Sequence, residues 1–420
     1  MPLNDQRPFP VDEMRRRFPA LERAGEFIFF DNGAGAQIPD TVLEAVTEHL
    51  LARNVQRGGP YRHSREVDQT IARARESVAA LVNARGADEI AFGLNATSFI
   101  RAISLAIGQT LASRPEIIVS EIDHEANIAT WLALERAGAR IVWWRRSSED
   151  PLGPLRPADL EPLLSERTRV VACTVASNAT GSVIDVAEVA RRAHAVGAEV
   201  FLDAVHYAPH GPIDVRALDC DYLVCSGYKV FAPHMGFAWC RREAINRLPT
   251  FREDFIPDVT PDKLEAGTYA YENVAGMDAA VRYLEELGRD AAGGRSRTDV
   301  LRAAMTRIAD YERTLSKMLL DEVARVPGVT VYGVTDDKRL NERVPTVCFT
   351  VAGYDSGAIA SGLAGRDVGV RSGHMYSPRF ISRLCPLPAG AVRASLVHYN
   401  RASEIARFGS ALGEVLDELG

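Results

Sequence analysis

The chain has 420 residues, 46% hydrophobic and 25% charged, with 49 Lys and Arg against 56 Asp and Glu and a formal net charge of -7. That length and apolar content suit a folded protein with room for two domains and exclude a disordered chain. The basic residues are scattered and the apolar runs are short, which excludes the cationic face of a nucleic-acid binder and a membrane span of about 20 residues.

In chain order, a helical stretch is expected around residues 11–17, behind a start, Met1-Pro2-Leu3-Asn4-Asp5-Gln6-Arg7, that lacks the apolar core of a signal peptide. A cytoplasmic protein is the expectation. The aromatic run Phe27-Ile28-Phe29-Phe30 reads as a strand and ends in a small-residue loop, Asp31-Asn32-Gly33-Ala34-Gly35-Ala36. Pro39 then opens a helical pattern over residues 41–51. Further strands fit residues 89–92, 116–119, 140–144, 168–174, 199–202 and 222–224, with helical segments between most of them. Such alternation predicts an α/β fold with a mostly parallel sheet, whose binding crevice lies beyond the C-terminal strand ends. After Gly293-Gly294-Arg295-Ser296 the pattern turns to longer helices, then strands at 329–332 and 346–349. The expected division is therefore an N-terminal segment (1–20) associated with the small domain, a large domain (21–294) and a smaller C-terminal α/β domain (295–420).

The six cysteines have no Cys-x-x-Cys spacing, and the nine histidines show neither His-Glu-x-x-His nor a Cys/His cluster, so no metal is expected. Two other residues carry more. Lys229, in Cys225-Ser226-Gly227-Tyr228-Lys229, lies just beyond an apolar strand, and Asp203 ends Val200-Phe201-Leu202-Asp203. A lysine amine condenses with an aldehyde, and a strand-end carboxylate keeps a pyridine nitrogen protonated, which is the division of labour in a pyridoxal phosphate (PLP) enzyme. Desolvation and nearby positive charge would favour a neutral Lys229 able to shuttle a Cα proton.

Other residues fit the same chemistry and also have ordinary structural readings. Asn95-Ala96-Thr97-Ser98 precedes a helical run near Phe99 and suits either a phosphate or a helix cap. His124 follows a strand and can cover a planar ring, or be a core or surface histidine. Asn178 can donate to a cofactor oxygen or fix a turn. His206 can meet the phenolic oxygen, and Ser226 the phosphate or its own turn.

Together, Phe30-Asp31-Asn32-Gly33-Ala34, Asn95-Ala96-Thr97, His124-Glu125-Ala126-Asn127, Ser177-Asn178, Asp203-Ala204-Val205-His206 and Ser226-Gly227-Tyr228-Lys229 make the chain resemble fold-type I PLP enzymes of the class V aminotransferase group, especially cysteine desulfurases and selenocysteine lyases. The resemblance implies that His124 stacks on the cofactor ring and acts with Lys229 in catalysis, that Asp203 meets the ring nitrogen, and that Lys229 forms the covalent link. Ala96, Thr97 and Ser226 would hold phosphate, with Thr268 of Glu265-Ala266-Gly267-Thr268 contributing across a homodimer. Arg393, in Val392-Arg393-Ala394-Ser395, would take the substrate carboxylate, with Arg371 and Tyr376 as the other substrate-binding residues. The chain departs from the pattern in three places. His206 replaces a glutamine, Tyr228 a histidine, and Tyr376, in Val370-Arg371-Ser372-Gly373-His374-Met375-Tyr376, the persulfide-forming cysteine. Cys385 is either a substitute sulfur acceptor or a buried structural thiol. The expectation is a PLP-dependent, cysteine desulfurase-like enzyme acting on a small amino acid by C–S cleavage or β-elimination. A class V aminotransferase or epimerase, and a PLP-binding regulatory or structural dimer, are the alternatives.

Overall fold

The computed structural model describes residues 8–147, 150, 152–292 and 295–420. The leader reading at residues 1–7 and the glycine pair at 293–294 lie outside the described residues. The strands are β1 (Ile28–Phe29), β2 (Ile90–Gly93), β3 (Glu116–Ser120), β4 (Arg140–Trp144), β5 (Thr168–Thr174), β6 (Glu199–Asp203), β7 (Tyr222–Ser226), β8 (Gly236–Cys240), β9 (Val329–Tyr332), β10 (Thr346–Val351), β11 (Val368–Gly369), β12 (Arg371–Gly373) and β13 (Ala391–Ser395).

Seven strands form the large sheet in the order β2-β8-β7-β6-β5-β3-β4. Its inner strands are apolar almost without interruption because helices cover both faces. Ile118, Val171, Leu202 and Leu223 point into one core, while Ile117, Val170, Phe201 and Val224 point into the other. Helix Arg62–Leu81 covers the first face with Val67, Ile71, Ala74 and Val78, the spacing of one helical stripe. Helix Ala96–Gly108 covers the second with Phe99, Ile100, Ile103 and Ile107.

The mostly parallel sheet expected from the sequence is present, with one addition. β8 was not anticipated; it inserts between β2 and β7, antiparallel to both. A second sheet, β12-β13-β10-β9, is antiparallel and carries the smaller domain, with a separate parallel pair β1-β11. Although residues 28–30 fall inside the expected large segment, Ile28 and Phe30 pack into the core of the smaller sheet, because β1 pairs with β11. Helix Arg297–Ala324 serves both cores: Leu301, Met305 and Ile308 join the large one, Leu315, Leu319 and Val323 the small one.

The N-terminal segment bridges the layers. Phe18 is fully buried, edge-on to Phe231, Tyr283, His398 and Tyr399, while Phe9 stacks on Tyr311 at 4.5 Å between ring centres. Phe18→Ala should therefore cost about 3–5 kcal/mol, the range for emptying a buried aromatic site. The measurement is the urea unfolding midpoint; a midpoint equal to wild type would show that the segment does not hold the layers together.

Candidate active site

The C-terminal ends of β5, β6 and β7 open on a cavity of about 560 Å³ whose wall includes Thr174, Asp203, Ser226 and Lys229. The opposite wall comes from the smaller sheet and the loop after β1, through Arg393, Arg371 and Gly33.

Lys229 lies in the turn Gly227–Lys229 and its Nζ donates to the Gly33 carbonyl. Burial, followed by the charges of Arg393 and Arg371, pulls its pKa down to about 7 against the opposing pull of Asp31 and Asp203. Asp203 is 5% exposed and accepts the Val205 backbone N–H at 2.9 Å. Burial raises its pKa to about 6, partly offset by that N–H and by Lys229, so it is mainly anionic at neutral pH. The cavity therefore pairs an amine that is readily neutral with a carboxylate that stays charged.

His124 lies in the turn between β3 and helix Ala126–Leu132, and its Nδ1 accepts the Ala126 N–H at 3.1 Å. Burial, then Lys229 and Arg393, lowers its pKa to about 4, which leaves a neutral ring. The preceding Asp123 fixes this turn. It is bonded to Ser120, to the Asn127 amide at 2.6 Å and to the Thr174 N–H at 3.1 Å, and burial pushes its pKa up to about 8.

At another corner, helix Ala96–Gly108 begins with an Asn95 cap whose side chain accepts the Ser98 N–H at 2.9 Å. The helix thus starts earlier than the Phe99 expected from the sequence, because Asn95 and Ser98 cap each other. The Ser226 hydroxyl accepts the Ala96 N–H at 3.1 Å, and Thr97 lines the cavity. Gly236 allows this approach: a Cβ there would lie 2.5 Å from the Asn95 carbonyl carbon. The result is a helix N-terminus, suited to an anion, at the end of β7.

The far wall is held by ion pairs. Arg393 is 2% exposed; its Nη2 donates to Asp31 at 2.8 Å and its Nη1 to the Asn178 carbonyl at 2.7 Å, while Nε is buried without a partner. Arg371 donates from Nε and Nη2 to the same Asp31, at 3.0 and 2.6 Å. Gly33 is needed here, since a Cβ would approach the Arg393 guanidinium carbon to 3.0 Å.

Ala96, Thr97, His124, Asn178, Asp203, His206, Ser226, Lys229, Arg371, Tyr376 and Arg393 all line this one cavity. Several are already engaged. The Asn178 amide donates to the Met375 carbonyl at 2.7 Å and accepts from the Ser377 hydroxyl at 3.0 Å, so it braces the 375–377 loop. His206 Nε2 meets the Thr346 hydroxyl at 3.0 Å, and burial holds the ring well below its usual pKa. Tyr376 is 56% exposed and its ring stacks on His124 at 5.8 Å. Thr268 lies outside the cavity, in a second one of about 350 Å³, where it accepts from the Gln56 amide at 2.7 Å. Cys385 is buried and does not line the cavity. Sequence reasoning assigned no role to Asp31, Asp123 or Thr346; the only local sign was that Asp31 follows a strand and Asp123 precedes His124.

Residues 28–408 match the family described as aminotransferase class-V. The aminotransferase-like protein FGM3 of Gibberella zeae is 35% identical, over 97% of this chain and 99% of its own. A cysteine desulfurase of Enterobacter sp. is 32% identical, over 98% and 100%. The apo structure of a cysteine desulfurase from Thermococcus onnurineus superposes with a TM-score of 0.86 at 25% identity, over 98% and 99%. The shared fold places the cavity where strand ends, lysine and aspartate converge, and the chain belongs to the class-V aminotransferase, cysteine-desulfurase-like family of fold-type I PLP enzymes.

Proposed function

We propose that this chain is a PLP-dependent lyase acting on a small amino acid by β-elimination, C–S cleavage included, with the leaving group released instead of passed to a protein thiol. The donor set fits PLP: an amine poised near neutrality, a buried carboxylate opposite it, and a helix N-terminus beside Ser226. Lys229 would hold the cofactor covalently, Asp203 its ring nitrogen, His124 its ring face, and Ala96, Thr97 and Ser226 its phosphate. His206 and Asn178 border the same space. In this reading the working unit is a cytoplasmic homodimer, with Thr268 of one protomer completing the phosphate end of the other; residues 266–268 are exposed, and Thr268 would exchange its Gln56 contact for the phosphate.

Bound PLP would supply an aldehyde for an amino group and a ring that accepts electrons from the substrate carbon. The chain supplies the rest. Arg393 orients the substrate carboxylate, with Arg371 beside it, and so directs the Cα–H bond toward Lys229. Released when the substrate's amino group takes its place on the cofactor, the Lys229 amine, neutral above about pH 7, would take that proton. Asp203 stays anionic and keeps the ring nitrogen charged. His124, neutral, packs against the ring without adding positive charge.

The observation favouring elimination over persulfide chemistry is the state of the thiols. All six cysteines are buried, none lines the cavity, and burial raises the pKa of each. Tyr376 stands where the resembling desulfurases carry their reactive cysteine and accepts no sulfur.

Lys229→Ala should abolish covalent retention of PLP: after borohydride reduction and denaturation, wild type gains the cofactor's mass and the variant does not. Equal mass gain in both would refute the assignment. The pH dependence of capture is equally specific. Covalent uptake of PLP by the apoprotein, followed by absorbance after rapid mixing, should accelerate as pH rises through about 7 and then level off. A rate still climbing toward about pH 10, the range of an ordinary lysine, would contradict it. Cys385→Ala should keep activity toward cysteine and other β-substituted amino acids within about twofold, since its thiol does not line the cavity. Pyruvate and ammonia are the expected products; alanine with sulfide or persulfide, a keto acid without ammonia, or inverted substrate would replace elimination by desulfuration, transamination or epimerisation.

A further inference from the structure

Two arginines in one amino-acid cavity ordinarily suggest two carboxylates to bind. Here Asp31 changes that count. It lies behind the wall, its side chain 24% exposed, and accepts from Arg371 through Nε and Nη2 and from Arg393 through Nη2. Arg371 therefore gives its two-point edge to a protein carboxylate, while Arg393, joined to Asp31 by one nitrogen, keeps a buried Nε without a partner. Two guanidinium charges less one carboxylate leave one positive charge for ligand. The outer side of Arg371 is also occupied, since its guanidinium carbon lies 6.0 Å from the centre of the Tyr376 ring.

We propose that Asp31 sets the substrate class of this cavity: amino acids with one carboxylate, held by Arg393, and an uncharged side chain. The proposal rests on the reading that Arg393 takes the α-carboxylate. A second carboxylate on the substrate side chain would reach an arginine whose charge is already matched, and would lie close to Asp31 itself. It would shed water without gaining a counter-charge, which is unfavourable in a partly enclosed site. An uncharged side chain meets instead the Tyr376 ring, which lines the cavity.

Matched pairs isolate the charge from the shape. PLP-loaded wild type and Asp31→Asn would be compared by equilibrium dialysis against glutamine and glutamate, and against asparagine and aspartate. Wild type should bind the amide of each pair at least about tenfold more tightly than the acid. In Asp31→Asn the freed Arg371 should reduce that ratio by about tenfold, and adding Arg371→Gln to the same variant should restore it. Equal binding of the pair members by wild type, or an unchanged ratio in folded Asp31→Asn, would overturn the proposal. A purely structural Asp31 would weaken all four ligands alike. Should Asp31→Asn not fold, Arg371→Gln alone decides: Asp31 then keeps only Arg393 as partner, no surplus positive charge is left in the wall, and discrimination against the acids should widen, whereas narrowing would refute the idea. The underlying assignment of Arg393 fails separately, if Arg393→Gln binds all four as tightly as wild type.

Discussion

A guanidinium buried to 2% exposure needs acceptor oxygens around it, and for Arg393 the counter-charge among them comes from Asp31, at the other end of the chain. Removing one partner of such a buried pair typically costs about 3–5 kcal/mol, because the other is left stranded. The pair also sets geometry. Asp31 forms a parallel bridge to Ser395 at the end of β13, the Asn32 amide donates to the Phe29 and Ser395 carbonyls, and the Gly33 N–H donates to the Ser395 hydroxyl at 2.7 Å. Lys229, from the large sheet, donates to the carbonyl of the same Gly33. Three consecutive residues thus join the two sheets, and the cavity is the space left between them.

Closeness of positive groups then becomes chemistry. Lys229 and His124 share the cavity with Arg393, and both are pushed toward their neutral forms by burial and by that charge. A site built only for stability would avoid such crowding. Here the desolvation that makes the cluster costly also gives an amine that is neutral above about pH 7 and a ring that adds no charge. Gly33 permits the approach, since a Cβ at this position would meet both Arg393 and the Ser395 hydroxyl at 3.0 Å.

Much of this was legible in the sequence, for local reasons. β3, β5, β6 and β7 are short apolar runs with turns at their ends, and Asp203 and Lys229 sit at those ends, so strand reading and site reading support each other. β8 was missed because an apolar run such as Gly236-Phe237-Ala238-Trp239-Cys240 does not encode which neighbour it pairs with or in which direction. Asp31 carried no readable role, because its partners lie 340 and 362 positions away and only the fold brings them together. Asn178 shows the converse. Its amide suits a cofactor oxygen on paper, yet much of its bonding capacity goes to the 375–377 loop.

That loop explains how the Tyr376 ring is kept in place over His124. Met375 and Tyr376 both adopt left-handed backbone conformations, with φ of 52° and 60°. For residues with a Cβ this costs roughly 1–2 kcal/mol each. The strain is offset by bonds on both sides: Asn178 holds the Met375 carbonyl at 2.7 Å, the Glu125 N–H holds the Tyr376 carbonyl at 2.8 Å, and Glu125 pairs with Arg379 at 3.0 Å. Glu125 also adjoins His124, so one turn fixes both members of the His124–Tyr376 stack. The Tyr376 ring also lies 6.0 Å from the Arg371 guanidinium carbon and lines the cavity beside it. All six thiols are buried and none lines the cavity, so no protein sulfur faces the space beside this loop.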